Sequence, residues 1–189
     1  MRLASPRIAP LADSEMNADQ LELVAPMAAT GRVLNIFRTL ARAPKAARAF
    51  LAWGNYVLSR RNDLPPRQRE LVILRVGYLC RSGYEWTQHV EIGLRDGLIA
   101  PEISRIKRGP SAVEWSDEDR LLLQATDELH HDKFISDETW SGLRGAFTEK
   151  QCMDLVFTVG QYTQVSMILN TFGVPLNPGQ GLDPDLKGY

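Results

Sequence analysis

The chain has 189 residues, of which 44% are hydrophobic and 24% are charged, and its formal net charge is −1. These values are typical of one globular domain with a sizeable core, and the balanced charge predicts neither a nucleic-acid partner nor an anionic membrane as a partner. No apolar run is long enough to cross a bilayer, and the N-terminal residues lack the apolar core of a secretory signal.

The cysteines and histidines bear on the cellular compartment and on cofactors. Cys80 and Cys152 both lie in apolar helical patterns, where reduced buried thiols are expected rather than a disulfide framework. With no secretory signal, this predicts a cytoplasmic protein. His130 and His131 are adjacent rather than helically spaced, so their rings should diverge, and the sequence predicts no metal site and no cofactor.

Helical periodicity covers most of the chain and no segment alternates as a strand would, so the predicted fold class is all-α. For residues 1–32 we predict an N-terminal arm with one short helix, which Asn17 or Asp19 caps. For residues 33–174 we predict a compact helical domain. Residues 175–189 are rich in proline and glycine, which indicates an extended or disordered tail. The predicted helices of the domain cover residues 33–42, 45–60, 67–81, 84–96, 101–107, 117–131, 137–146 and 149–170.

The stretch from Glu70 to Gly97 contains the candidate catalytic residues. Glu70 begins a nearly continuous apolar run, and the helix predicted after the next turn carries Glu85 and His89 four residues apart. Residues four apart share one face of a helix, and a helical hairpin would bring Glu70 back toward that pair. Two carboxylates and a histidine on apolar helices can form a proton-transfer site. A surface ion pair beside a helix-starting carboxylate is the structural alternative.

Convergence of these three residues would have consequences for the histidine. One carboxylate should then accept a hydrogen bond from one ring nitrogen of His89, while the other nitrogen faces a cavity. Burial should lower the pKa of His89 and the neighbouring negative charges should raise it. We expect the charges to dominate.

Several other polar or aromatic residues are candidates for binding a substrate. Arg75 is the lone charge inside the apolar helix, and it serves either as a substrate ligand or in a structural salt bridge. Tyr84 and Trp86 could line a pocket; core packing is the favoured role for Trp86, whereas both roles are open for Tyr84. Tyr162 and Asn170 on the last predicted helix could face a cavity or bond to the backbone.

The segments RQRELVILRV and YEWTQHVEIGLRDGL resemble the carboxymuconolactone decarboxylase and alkyl hydroperoxidase D family over roughly residues 33–174. In that family a glutamate on one helix precedes a Cys-x-x-Cys-x-x-x-His motif on the next. Counting back from His89, the glutamate falls at Glu70 and the two cysteines fall at Ser82 and Glu85. The leading glutamate and the histidine are therefore kept, whereas both redox cysteines are replaced.

The resemblance implies an alkyl hydroperoxidase D-like helical bundle and two alternative chemistries. Peroxidase-type members need a thiolate, which Ser82 and Glu85 cannot supply, so thiol peroxidase activity through Cys80 is the weaker alternative. Decarboxylase-type members protonate an enol-like anion, a task for which a histidine and a glutamate suffice. We therefore expect a decarboxylase-like lyase or isomerase step on a small carboxylated or lactone substrate, with His89 as the proton donor.

Two further expectations concern assembly and a non-enzymatic role. The resemblance implies a homo-oligomer, a trimer or a hexamer, and the apolar helix after Glu70 agrees, because one subunit would otherwise expose much apolar surface. Gly160 on the last helix suggests a close crossing of two helices.

The alternative to an enzyme is a binding or scaffold protein in which Glu70, Glu85 and His89 only fix the core. A cavity that reaches His89 would favour the enzyme.

Overall fold

The computed structural model describes residues 3–188, and this part of the chain is all-α, as the sequence predicts. The helices are α1 (Ala18–Ala28), α2 (Asn35–Leu40), α3 (Pro44–Leu58), α4 (Pro66–Leu79), α5 (Gly83–Arg95), α6 (Ala100–Ile106), α7 (Asp117–His131), α8 (Asp137–Ala146) and α9 (Glu149–Phe172). Short 3-10 turns lie at Asp13–Glu15, Gly109–Ser111 and Pro184–Leu186. None of the helices within residues 3–188 combines the length and the apolarity that a membrane span requires.

Side-chain caps determine where several helices begin. Asn17, Ser116, Ser136 and Thr148 each accept a hydrogen bond from the backbone N–H three residues further along. Such caps satisfy N–H groups that have no partner inside the helix. As a result, α7 and α8 have the predicted bounds. Helix α9 continues two residues past its predicted end and stops before Gly173, which adopts a left-handed φ of 69°.

Helix α4 occupies the centre of the fold. Every residue from Arg69 to Gly77 is buried, because α5, α7 and α9 pack around the helix. Two hydrophobic clusters meet on α4. The first contains Val72, Ile73 and Val76 together with side chains of α7, α8 and α9, and the second contains Leu71, Leu74, Trp86, Leu98 and Ile106. Helix α4 therefore holds its first turn, which carries Glu70, deep inside the molecule.

The N-terminal arm and the C-terminal tail pack against their own chain. In the arm, Leu11 is buried and the Arg7 backbone N–H donates to the carbonyl of Phe172. In the tail, Leu186 joins the second hydrophobic cluster and Lys107 forms ion pairs of 2.8 and 2.7 Å with Asp183 and Asp185. The tail up to residue 188 is therefore ordered rather than disordered, because buried apolar and charged contacts hold it.

The expectation for Gly160 is wrong within the described chain. Gly160 is exposed, and no heavy atom lies within 4 Å of a Cβ built on it. No helix of residues 3–188 therefore crosses α9 closely at this position.

Candidate active site

The hairpin of α4 and α5 builds the candidate site. Arg81 adopts a left-handed φ of 52° in the turn, and the Ser82 N–H closes the end of α4 by donating to the Gly77 carbonyl at 2.8 Å. Two glycines then let the helices approach each other. A Cβ at Gly77 would lie 3.7 Å from Glu85, and a Cβ at Gly93 would lie 3.7 Å from Glu70 and 2.9 Å from Leu98. This close approach places Glu70 opposite the face of α5 that carries Glu85.

The three predicted catalytic residues converge. The His89 Nδ1 forms a 2.7 Å hydrogen bond with Glu70 Oε2, and Nε2 lies 2.9 Å from Glu85 Oε1. Glu70 is 0% exposed, Glu85 4% and His89 6%. The expectation that one ring nitrogen would be left to face a cavity is wrong, because the i, i+4 spacing brings Glu85 onto that nitrogen. The imidazole is held between two carboxylates.

The charges around His89 determine its protonation state. Burial lowers the pKa of the imidazole, but the charges of Glu85 and Glu70 and the hydrogen bonds to them outweigh burial and raise the pKa from 6.5 to about 10. This confirms the predicted direction. At neutral pH His89 is therefore an imidazolium between two carboxylates, and the three residues together carry one net negative charge.

A cavity of about 190 Å³ reaches two members of the triad. Glu85 and His89 line it, whereas Glu70 lies behind the imidazole, away from the cavity. The remaining wall is mainly apolar and comes from α2, α3, α5 and α9. Its residues are Leu34, Ile36, Phe37, Phe50, Leu51, Gly54, Asn55, Leu58, Tyr84, Gln88, Ile92, Gln161, Tyr162 and Val165. Neither lysine nor arginine is among the lining residues.

Two tyrosines shape this cavity. The ring of Tyr162 packs edge-to-face on the His89 ring, with 4.9 Å between the centroids, and burial with the charges of Glu85 and Glu70 raises the pKa of its phenol well above the usual range. The Tyr84 hydroxyl accepts a hydrogen bond from Asn177 Nδ2 at 3.1 Å. Tyr84 is therefore positioned by the C-terminal tail, and both phenols stay protonated at neutral pH.

Arg75 and Trp86, the other predicted substrate ligands, lie away from the cavity. The Arg75 guanidinium forms two hydrogen bonds to Asp127, at 2.6 and 2.7 Å, and also donates to the carbonyl of Ile106. Trp86 is 2% exposed in the second hydrophobic cluster. Neither lines the His89 cavity, which corrects their assignment as substrate-binding residues there, because the guanidinium is paired with Asp127 and the indole packs in the second hydrophobic cluster.

No thiol of the described chain lines this cavity. This holds for the positions where the family carries its redox cysteines and for the two cysteines that the chain has. Ser82 is fully buried and is absent from the cavity wall. Cys80 lies 3.8 Å from His130 Nδ1, and Cys152 is buried in the first hydrophobic cluster. Within residues 3–188 neither cysteine forms a disulfide bond.

The sequence indicates the contribution of α9 to the cavity only weakly, through Tyr162, and does not indicate that of α3. Tyr162 was a weak candidate that proves to line the cavity, whereas Asn170 donates to the Cys80 carbonyl instead. Gln161 was not singled out. It is 4% exposed, its Oε1 has no hydrogen-bond partner within residues 3–188, and its Nε2 would lie 3.3 Å from a Cβ at Gly54. Only the tertiary packing of α3 on α9 reveals this polar group.

No cluster of three or more histidine, cysteine, aspartate or glutamate side chains within residues 3–188 is arranged to hold a metal ion. The arrangement at the cavity is instead that of an acid–base pair, Glu85 and His89, with Glu70 orienting the imidazole from behind.

Sequence and structure comparisons place these features in a wider context. Residues 44–128, which include all three triad residues, match the model of the carboxymuconolactone decarboxylase family. No curated protein matches the chain by sequence.

Several solved structures share the fold. A protein of unknown function from Agrobacterium tumefaciens, described as a putative antioxidant defence protein AhpD, is 21% identical with a TM-score of 0.68, covering 73% of this chain and 94% of that chain. A peroxidase-related protein from Ralstonia eutropha with an alkylhydroperoxidase AhpD core is 17% identical with a TM-score of 0.68, covering 93% and 95%. A variant of the debrominase Bmp8 in complex with 2,3,4-tribromopyrrole is 13% identical with a TM-score of 0.73, covering 93% and 94%. At these identities the likeness shows the fold.

Proposed function

We propose that this protein, which belongs to the carboxymuconolactone decarboxylase family, is a thiol-independent acid–base enzyme that moves a proton on a small, largely apolar substrate. The observation that carries the proposal is the opening of the His89 cavity onto Glu85 and His89, with Glu70 behind them. A triad that only fixed the core would need no access to a cavity. The acid–base groups alone suffice for this chemistry, so the proposal includes no cofactor.

The triad supports a division of roles. Glu85, at the cavity wall, is the base that removes a proton from a carbon next to a carbonyl group. The His89 imidazolium, beside it, stabilises the negative charge that then develops on the carbonyl oxygen. Glu70 holds the ring through Nδ1 and keeps it protonated. Return of the proton from Glu85 to a different carbon completes an isomerisation. In a lyase step the electron pair instead forms a double bond and expels a leaving group from the neighbouring carbon, and Glu85 gives its proton to that group.

The charge of the site favours an uncharged reacting group. The triad carries one net negative charge, and no lysine or arginine lines the cavity to offset it. A substrate carboxylate would be repelled there, as two like charges are in any poorly solvated site. The proton shift on a lactone or ketone is therefore favoured over decarboxylation of an ionised acid. In the decarboxylation, carbon dioxide leaves, the electron pair stays on the substrate carbon, and that carbon takes the His89 Nε2 proton by way of Glu85, which lies between that nitrogen and the cavity.

The size of the cavity supports a small ring as substrate. About 190 Å³ is small compared with the pockets that hold drug-sized ligands. The debrominase of similar fold was solved in complex with 2,3,4-tribromopyrrole, a small ring, which supports a ring as the substrate class. Thiol peroxidase chemistry receives no support from this cavity, since neither Cys80 nor Cys152 lines it.

Proton exchange in deuterated water tests the proposal. Small lactones and cyclic ketones are incubated with the protein, and deuterium incorporation is followed by NMR. Glu85→Gln and His89→Gln should lower the exchange rate by about a hundredfold or more. Glu91→Gln, an exposed change on the same helix, should leave it unchanged. Exchange that is equal in all four proteins would contradict the assignment of the site.

A further inference from the structure

A second cavity, of about 670 Å³, lies where α4 and α9 begin. It is separate from the His89 cavity, and Leu58 lines both. Its wall is more polar than that of the first cavity and includes several exposed residues, so it is open to solvent. The lining residues are Leu58, Arg60, Asn62, Asp63, Leu64, Pro65, Pro66, Arg69, Asp96, Thr148 and Gln151.

Arg69 is a buried cation in the wall of this cavity. It is 7% exposed, and its Nη1 donates one long hydrogen bond, of 3.3 Å, to the Ser59 carbonyl. Its Nε is buried without a hydrogen-bond partner, and Arg69 forms no ion pair with a carboxylate among residues 3–188. A buried guanidinium that lacks an anionic partner is costly, and the cost falls when an anion binds to it.

The other polar groups of the cavity already have partners. Asp63 forms a 3.1 Å ion pair with Lys150, and Asp96 forms one of 3.2 Å with Arg95. The Asn62 side chain donates to Thr158 and accepts from the backbone N–H of Leu64.

The unused polar groups of the wall are therefore arginine donors. Arg60, the second arginine, is exposed, so it stands where the cavity meets solvent. An arginine guanidinium donates hydrogen bonds and accepts none, so a ligand that satisfies it must present acceptor oxygens with negative charge.

Two helices begin at this cavity, and the N-terminal end of each carries partial positive charge. Helix α9 has 24 residues and begins here, with its cap Thr148 and its third residue Gln151 in the wall. Helix α4 has 14 residues and begins at Pro66, which also lines the cavity. The N-terminal end of a helix carries partial positive charge and favours anions. Two helix ends and a buried arginine thus converge on one cavity.

We propose that this cavity is a binding site for a small oxyanion, a phosphate or carboxylate group, with Arg69 as its principal ligand and Arg60 at its mouth. The proposal is independent of the reaction at His89. The competing explanation is that Arg69 only balances the net negative charge of Glu70, Glu85 and His89, in which case no anion binds.

Calorimetric titration with inorganic phosphate and with acetate, at constant ionic strength, separates the two explanations. The wild-type protein should bind one anion per chain in a saturable manner. Arg69→Gln should weaken binding by about tenfold or more, whereas Arg61→Gln, an exposed neighbour outside the cavity wall, should bind as the wild type does. Phosphate binding much tighter than acetate identifies a phosphoryl group, and similar or weaker phosphate binding identifies a carboxylate.

A second measurement avoids any dependence on the folding of Arg69→Gln. In the wild-type protein labelled with 15N-arginine, the Nε–H resonance of Arg69 should shift with the same saturation curve as the calorimetric signal. The absence of saturable binding of both anions, a stationary Arg69 resonance, or equal binding by Arg69→Gln and wild type would each overturn the proposal.

Discussion

The substitution Glu70→Gln tests how the protein maintains an imidazolium in its interior. The pKa of His89 is raised from 6.5 to about 10, so protonation of His89 stabilises the folded state fully below pH 6.5. This contribution is lost as the pH rises through about 10. This difference in pKa between the folded and the unfolded state corresponds to a loss in the free energy of unfolding on the order of 5 kcal/mol between pH 6.5 and about pH 10.

Removal of the Glu70 charge should shrink this pH dependence. Glutamine keeps the shape of the side chain but not its charge, so the pKa of His89 should fall, and the free energy of unfolding at neutral pH should drop by about 3 kcal/mol. Chemical denaturation of wild type, Glu70→Gln and the exposed control Glu91→Gln, repeated from about pH 6 to about pH 10, measures both effects. The reasoning is refuted if stability depends on pH equally in wild type and Glu70→Gln.

Three further predictions concern the core, the thiols and the assembly. Arg75→Met should lower the free energy of unfolding by about 3–5 kcal/mol, because it leaves Asp127 without its partner, and ligand binding at the His89 cavity should be unchanged. Denaturation curves equal to wild type would contradict this. Cys80→Ser should not alter hydroperoxide consumption, and a loss of consumption in that variant would favour thiol chemistry instead. Light scattering should give a homo-oligomer, a trimer or hexamer, rather than a 21.2 kDa monomer, since Trp53, Met153 and Val156 are 37–48% exposed.

Local signals in the sequence were sufficient for most of the fold. The hydroxyl caps Ser116 and Ser136 and the apolar spacing after them predict α7 and α8 with their observed bounds. The i, i+4 spacing of Glu85 and His89 likewise predicts their contact. These features depend on residues within one helix or one hairpin, where spacing determines which side chains meet.

Features that depend on distant segments could not be predicted in the same way. The role of Arg75 depends on Asp127, which is 52 residues away, and the cavity wall needs α3 and α9 to pack together before Gln161 can be recognised as part of it. The order of the tail depends on Lys107 and on the second hydrophobic cluster. Periodicity identifies the buried face of a helix but not the element that covers it.

The central claim is that His89 is held as an imidazolium by two buried carboxylates at the wall of the cavity. NMR titration of the His89 ring in the wild-type protein tests it most directly. The account predicts that His89 remains protonated well above neutral pH and titrates near its raised pKa of about 10. A His89 ring that loses its proton near the ordinary histidine pKa of 6.5 would contradict the account.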